Sequence, residues 1–402
     1  MSKTKHTKYS EVRKKLSFDT LKEFTDHQAQ ITHFWQSGKA IGYAEDPASG
    51  YGNTTSNGVD NQFCFPLEYD VPFPPVKKPK FTFIDLFAGI GGFRIALQNQ
   101  GGKCVFSSEI DSNARKTYES NFGEIPFGDI KKFTAPEISD ESISNTIPDH
   151  DILAAGFPCQ PFSLAGVSAR NYLGKNHGFN DLIQGNLFFD IIRIAQIKKP
   201  KVLFLENVKN LRSHDKGRTF DTIKQLITGL GYTFNYKIIN AQTEVPQRRE
   251  RTYIVCFSEK ITFEFPAFKG EPQVLSSILE SEVDGSYTIS DKLWKGHQER
   301  SKRNKARGTG FTVKEADLYK PANTLVARYY KDGKECLIPQ LEKNPRKLTP
   351  RECARLQGFP EKFILPKSNS TAYKQFGNSI ALPVVEKISV EIIKNLKLNG
   401  NI

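Results

Sequence analysis

In GFPCQPFSLAG, residues 156–166, a cysteine stands between two prolines, with glycine close on either side and phenylalanine before and after. A cysteine that only fills a core needs no such frame, because it packs as a small hydrophobe on an ordinary strand or helix. Prolines and glycines instead fix a loop, and loops on a rigid scaffold are where reactive side chains are presented. On this stretch alone, Cys159 is equally a reactive thiol or a buried structural one. Two other motifs carry groups that work with a thiol. Glu206 lies in ENV at the end of the apolar run KVLFLENV, and Arg249 and Arg251 belong to QRRER, residues 247–251, ahead of another apolar run. A thiol adding to a ring needs an acid where negative charge develops and a cation that favours the thiolate. Standing singly, the glutamate is a helix cap or surface acid and the arginines are surface charge; the three motifs together make coincidence a poor explanation.

The elements that must position these groups alternate between strand and helix. FTFIDLF from Phe81 reads as a buried strand, GIGG as a tight turn, FRIALQNQ as a helix and KCVFSSEID as a second strand. DILAAGF, KVLFLENV and TYIVCF continue the series with helical patterns between them. The fold class this predicts is α/β: a doubly wound, mostly parallel sheet covered by helices. Such a sheet binds its ligand beyond the carboxyl end of the first strand, here FAGIGG, residues 87–92, whose glycines allow close backbone approach. Glu109 ends the second strand about 20 residues on, where a carboxylate accepts ribose hydroxyls, and Asp129 in FGDI is expected to end a third strand. The turn departs from GxGxxG, with Phe93 and Arg94 near the place of the third glycine, so a nucleoside without pyrophosphate, such as S-adenosylmethionine, suits it better than a dinucleotide.

If the cofactor carries an electrophilic methyl group, the acceptor is an amine or an activated carbon. Amino-group methyltransferases grip their target with Asn or Asp followed by Pro-Pro and an aromatic; the equivalent loop here is GFPCQP. A thiol in that place suits C5 of cytosine, which is inert until a nucleophile adds at C6. Cys159 is then the nucleophile, and Glu206 protonates N3 while reading the Watson–Crick edge.

In order, FIDLFAGIGG, GFPCQPFS, ENV, QRRER, RKLTPRECARLQGFP and YKQFGNSIALPVV, across roughly residues 81–395, resemble the ordered motif set of DNA (cytosine-5) methyltransferases of the bacterial restriction-modification type. The resemblance implies S-adenosylmethionine as cofactor, with Cys159 as nucleophile, Glu206 as the N3 acid, Arg251 as the third base-contacting residue and Arg249 in support. It implies cofactor contacts from Phe87, Gly89, Gly91, Glu109, Ile110, Asp129, Ile130, Pro158, Leu187, Asn378 and Ser379. Ile110 stands where many relatives place a tryptophan against the adenine, so stacking there is expected to be weaker. DNA contacts are implied for Gln160, Ser163, Arg303, Arg307, Thr324 and Arg328, with Leu325 in the same stretch. SLAGVSARNYLGKNHGFND after the cysteine resembles the family's mobile loop, and the target cytosine must leave the duplex to be reached. LWKGHQERSKRNKARGTGF and ARYYKDGKECLI look most like enzymes that modify short palindromes beginning CC, such as CCWGG, CCNGG or CCGG.

The totals agree with a polyanion partner. The 402 residues carry 57 Lys and Arg against 44 Asp and Glu, a formal +13, and residues 291–335 hold 12 basic and 6 acidic side chains. Five basic groups fall between residues 297 and 307, suited to phosphates and base edges of double-stranded DNA. Six cysteines without CxxC pairs suggest neither a metal site nor a disulfide framework. No apolar run approaches the span of a bilayer, so a cytoplasmic, nucleoid-associated bacterial protein with no membrane partner is expected, acting as a monomer beside a cognate endonuclease. The expected division is an N-terminal extension and linker (1–79), a catalytic domain (80–262), a target-recognition domain (263–370) and a C-terminal segment returning to the catalytic domain (371–402). DTLKEFTDHQAQITHFWQSGKA has helical spacing; the extension is either a small DNA-binding or autoregulatory module or a loose addition packed on the catalytic domain. Two other readings of the whole chain are a tRNA cytosine-5 methyltransferase, against which the long basic region speaks, and a DNA-binding regulator without catalysis, which would lack Cys159 or Glu206.

Overall fold

A computed structural model describes residues 7–37, 67–158, 187–308, 310 and 312–402. Two compact units divide it: residues 1–237, 252–264 and 392–402 in the first, residues 238–251 and 265–391 in the second. No helix among the described residues is long and apolar enough to cross a membrane.

The first unit is built on a six-stranded sheet in the order β4-β3-β5-β6-β8-β7, with β3 Phe81–Leu86, β4 Gly102–Ser108, β5 Ile152–Gly156, β6 Val202–Val208, β7 Asn235–Asn240 and β8 Glu250–Phe257. β3 pairs in parallel with both β4 and β5, and β5 with β6. Ile152 to Ala155 and Val202 to Leu205 are fully buried, as strands covered on both faces must be. Strand order reverses at β3, whose neighbours run on to opposite edges, and a crevice opens at such a point. Helices α3 (Gly92–Asn99), α4 (Ser112–Phe122) and α7 (Leu187–Lys198) lie between the strands in sequence, with the short α5 (Lys131–Thr134) and α6 (Asp140–Thr146) before β5. Asp111 starts α4 by accepting from the Asn113 and Ala114 amides.

Asp129 does not end a third strand. Its segment makes a single bridge, Phe127 against Ser108, held by Phe127 N to Ser107 O and Glu109 N to Phe127 O, both 2.8 Å. Pro126 has no amide to donate, and the neighbouring amides take side chains instead: Ile125 N donates to Thr32 Oγ1 (2.9 Å) and Gly128 N to Asp26 Oδ1 (2.8 Å).

Those side chains come from the N-terminal extension, which is packed into the first unit. Strand β1 (Thr7–Lys8) pairs in parallel with β2 (Leu67–Glu68), helix α1 (Tyr9–Lys15) follows, and α2 spans Asp26–Ser37. The Tyr9 hydroxyl and the Arg13 guanidinium both donate to Glu119 at 2.7 Å, and Tyr9 stacks on Tyr69. Gln36 accepts from Arg94 (2.9 Å) and donates to Phe122 O (2.9 Å). Arg94 also donates to Glu124 (2.7 Å), as does Ser107 Oγ (2.9 Å), in a network that excludes water.

In the second unit, α9 (Asp291–Ala306) is capped by Ser290, and the β9–β10 hairpin (Ile338–Gln340, Lys343–Arg346) precedes α11 (Pro350–Leu356). Thr349 and Glu352 form a capping box at the start of α11, and Arg346 grips Glu352 through two 2.8 Å hydrogen bonds. Helix α12 covers Asn369–Asn378, and α13 covers Leu382–Leu398. Two parts of the expected division differ. Residues 238–251 and 371–391, assigned from the sequence to the catalytic domain and to a returning segment, group with the second unit. The reason is local: Gln247 donates to Leu356 O and accepts from Leu325 N, and Arg249 donates to the carbonyls of Leu325, Gly377 and Ser379.

Candidate active site

A cleft opens beyond the carboxyl ends of β3 and β4. Phe87, Ser108, Glu109, Ile110, Gly128, Asp129, Ile130, Lys131 and Leu187 line it. The chain turns sharply after β3 through left-handed backbone at Phe87 (φ 55°), Gly89 (φ 55°) and Gly91 (φ 85°). Gly91 is required by packing, since a Cβ there would lie 2.2 Å from the Phe122 ring. Gly89 differs: a Cβ there would meet nothing within 4 Å, so its openness faces free space.

Glu109 closes one side of the cleft. Its oxygens accept from Gly89 N (2.8 Å) and Asp111 N (2.7 Å). Burial raises its pKa above the ordinary carboxylate value, and the two amides oppose that rise. Ile110 beside it is 73% exposed, a flat apolar surface turned outward. Asp129 also lines the cleft and accepts from Lys131 N at 3.0 Å. Ile130 is buried, and Leu187 begins α7.

The second cluster of expected residues lies at the ends of β5 and β6. Gly156 pairs in register with Glu206, and a Cβ on Gly156 would lie 3.7 Å from Glu206 Oε2. The loop to the cysteine therefore leaves the sheet beside the acid. Glu206 is 9% exposed, while Pro158 is exposed. Asn207 Nδ2 donates to Phe157 O at 2.9 Å and its Oδ1 accepts from Val208 N, so the residue after the acid ties down the segment that leads to Cys159. Sequence reasoning used ENV only for its glutamate. The signal for Asn207 was an amide side chain at the tip of a buried strand, able to bind a neighbouring backbone. Cys159, Gln160 and Ser163 lie outside the described residues, as does the basic loop that follows them.

Four cysteines are described: Cys104, Cys256, Cys336 and Cys353, each buried and free. Burial pushes all four thiols up, that of Cys336 to about 12, so none is a thiolate near neutral pH.

The remaining expected residues belong to the second unit. Arg249 is 2% exposed, and its guanidinium is held by the carbonyls of Leu325 (3.1 Å), Gly377 (3.3 Å) and Ser379. Three carbonyls of its own unit thus engage the Arg249 guanidinium. Arg251 is partly exposed and donates to Glu250 O. Asn378 ends α12 and is exposed, with Ser379 following it. Thr324 Oγ1 donates to Arg248 O (2.5 Å), Arg248 N donates to Ala322 O and Ala322 N to Pro246 O (both 2.8 Å), so the Thr-Leu stretch is laced to QRRER. Leu325 is buried, whereas Arg303, Arg307 and Arg328 are exposed. The first two lie in the last turn and at the C-cap of α9.

Residues 81–394 match the family described as C-5 cytosine-specific DNA methylase. The chain belongs to that family. It is thus an enzyme of methyl transfer to C5 of cytosine in DNA. It is 46% identical over 331 residues to the Type II methyltransferase M.DsaV of Dactylococcopsis salina, covering 80% of this chain and 89% of that one. It is 50% identical over 335 residues to M1.ScrFI of Lactococcus lactis subsp. cremoris (81% of each), and 47% identical over 353 residues to M.SsoII of Shigella sonnei (86% and 88%). The S. pombe Dnmt2 methyltransferase structure has the same fold, with a TM-score of 0.60 at 20% identity over 78% of this chain and 98% of that one.

Proposed function

We propose that this methyltransferase modifies a cytosine extruded from double-stranded DNA at a short palindromic site of the CC type. It would be the modification half of a restriction-modification system and act as a monomer with S-adenosylmethionine as donor. Three features of the cleft fit that cofactor. Gly89 leaves room for a ligand, Glu109 presents a carboxylate to ribose hydroxyls, and the exposed face of Ile110 offers the adenine an apolar contact without aromatic stacking. Phe87, Gly91, Asp129, Ile130, Pro158 and Leu187 complete the first unit's share; Asn378 and Ser379 are cofactor contacts only by the family resemblance. When bound, S-adenosylmethionine supplies an electrophilic methyl group.

The chain's own residues make C5 able to take that methyl. The Cys159 thiolate forms a bond to C6 as Glu206 gives a proton to N3, and the electron pair of the C5–C6 double bond becomes available at C5. After methylation the C5 proton leaves to a base, the C6–S bond breaks to restore the double bond and the thiolate, and N3 returns its proton to Glu206. Arg251 holds the base, and Asn207 keeps the cysteine's approach segment in place. The observation that carries this reading is the in-register pairing of Gly156 with Glu206, which starts the cysteine loop beside the acid. The raised thiol pKa values of the four described cysteines support it by removing them as nucleophiles.

Bisulfite sequencing of plasmid from a bacterial host expressing the chain reports the modified base and its context together. Cys159→Ala is expected to lower methylation by a factor of roughly a thousand or more while DNA binding is largely retained. Persistent methylation by that variant, or absence of a covalent adduct on DNA carrying 5-fluorocytosine at the target, would overturn the mechanism.

A further inference from the structure

Helix α2 touches the cofactor cleft at no point, yet it holds one of its walls. Three of its side chains accept backbone amides from the segments that line the cleft. Ser107 N donates to His33 Nε2 (3.2 Å), Ile125 N to Thr32 Oγ1 (2.9 Å) and Gly128 N to Asp26 Oδ1 (2.8 Å). Ser107 immediately precedes the lining residues Ser108, Glu109 and Ile110, and Gly128 begins the lining run through Lys131. The Ile125 and Gly128 amides belong to the segment that makes only one bridge to β4, so Thr32 and Asp26 stand where a neighbouring strand would supply carbonyls, while the Ser107 amide lies in β4 itself.

Further ties join the same two parts. Asp26 Oδ2 accepts from Lys132 Nζ at 2.6 Å, just past the lining run. The Arg115 guanidinium donates to Phe24 O (2.6 Å) on the N-terminal side and to Pro126 O (2.8 Å) on the cleft side, bolting the two together. Thr32 and His33 are buried, and burial lowers the His33 pKa. With Nδ1 2.8 Å from Ala29 O, the neutral imidazole donates there and turns its Nε2 lone pair to the Ser107 amide.

We infer that α2 is a positioning element for cofactor binding, and that Asp26 and Thr32 set the placement of the Gly128–Lys131 wall and of Asp129 within it. The inference rests on the cleft being the S-adenosylmethionine site. An extension that merely stabilised the unit would change folding free energy and leave cofactor affinity alone; a positioning helix changes affinity in protein that remains folded.

The test is a titration of full-length protein with S-adenosylmethionine, paired with steady-state kinetics in which cofactor and DNA are varied separately. Asp26→Ala removes the acceptor for Gly128 N. It is expected to raise Kd and KM for S-adenosylmethionine about tenfold, with kcat at saturating cofactor and KM for DNA within about twofold. Thr32→Val, which keeps shape but loses the acceptor, should do the same more weakly, and Thr32→Ser should restore wild-type affinity. If Asp26→Ala fails to fold, the Thr32 pair decides. Unchanged cofactor affinity in folded Thr32→Val, or a fall in kcat without a change in Kd, overturns the inference. Failure of the wild-type protein to bind S-adenosylmethionine would instead overturn the reading of the cleft, and with it the inference.

Discussion

The sealed and open sides of β3 and β4 treat their acids differently. Burial alone would raise the pKa of Glu124, but Arg94 and Ser107 outweigh it and hold the carboxyl below its ordinary value. Glu109, on the cleft side, accepts from the amides of Gly89 and Asp111, and burial leaves its pKa raised. An acid gripped by a guanidinium inside a network serves the scaffold, because removing one partner strands the other charge in a low dielectric. An acid held by backbone amides is oriented while lone pairs remain for a ligand's hydroxyls. What separates the two carboxyls is therefore the nature of the partner, a guanidinium for Glu124 and backbone amides for Glu109.

Four substitutions challenge that distinction. Glu124→Gln should have the largest effect, a loss of about 3 kcal/mol in unfolding free energy by urea denaturation, since it leaves the buried Arg94 without its counter-charge. Its Kd for S-adenosylmethionine, measured on the folded fraction, should move far less than that of Glu109→Gln. For Glu109→Gln the pattern reverses: stability within about 1 kcal/mol of wild type, and cofactor affinity about tenfold weaker by calorimetric titration. Equal losses of stability in the two variants would erase the contrast. The smallest effects belong to exposed charge in the second unit. Arg303→Ala and Arg307→Ala should each reduce the slope of log Kd for DNA against log salt by about 1 and leave the unfolding midpoint unchanged, whereas a change in stability without a change in slope would remove them from the DNA surface.

Legibility in the sequence followed the same line. Five of the six sheet strands, the turn after β3 and the end of β6 announce themselves, because apolar runs bounded by glycines or acids are local patterns; β7, NYKIIN, is mostly uncovered and carries no such run. Nor does the α2 network announce itself. His33, Gln36, Arg94 and Glu124 are polar residues buried against each other, and the Arg94–Gln36 and Ser107–His33 pairs join positions 58 and 74 residues apart. The helical spacing of DTLKEFTDHQAQITHFWQSGKA is legible, but what Asp26, Thr32, His33 and Gln36 bind is not, because their partners are far away in sequence. The same separation turned Asp129 into a strand end, since amides met by distant side chains look in sequence like amides met by a strand. Arg249 shows the opposite case: QRRER reads as charge awaiting an anion, while the folded chain supplies carbonyls from residues 325, 377 and 379.

The guanidinium of Arg249 also constrains how this enzyme can be recombined. Because 238–251 groups with 265–391 while the intervening 252–264 does not, the second unit is no contiguous cassette. A chimera that imports residues 263–370 from a relative with another recognition sequence would ask the resident arginine to grip a foreign carbonyl at position 325. Exchange of specificity by transplantation should succeed when the short upstream piece travels with the long one.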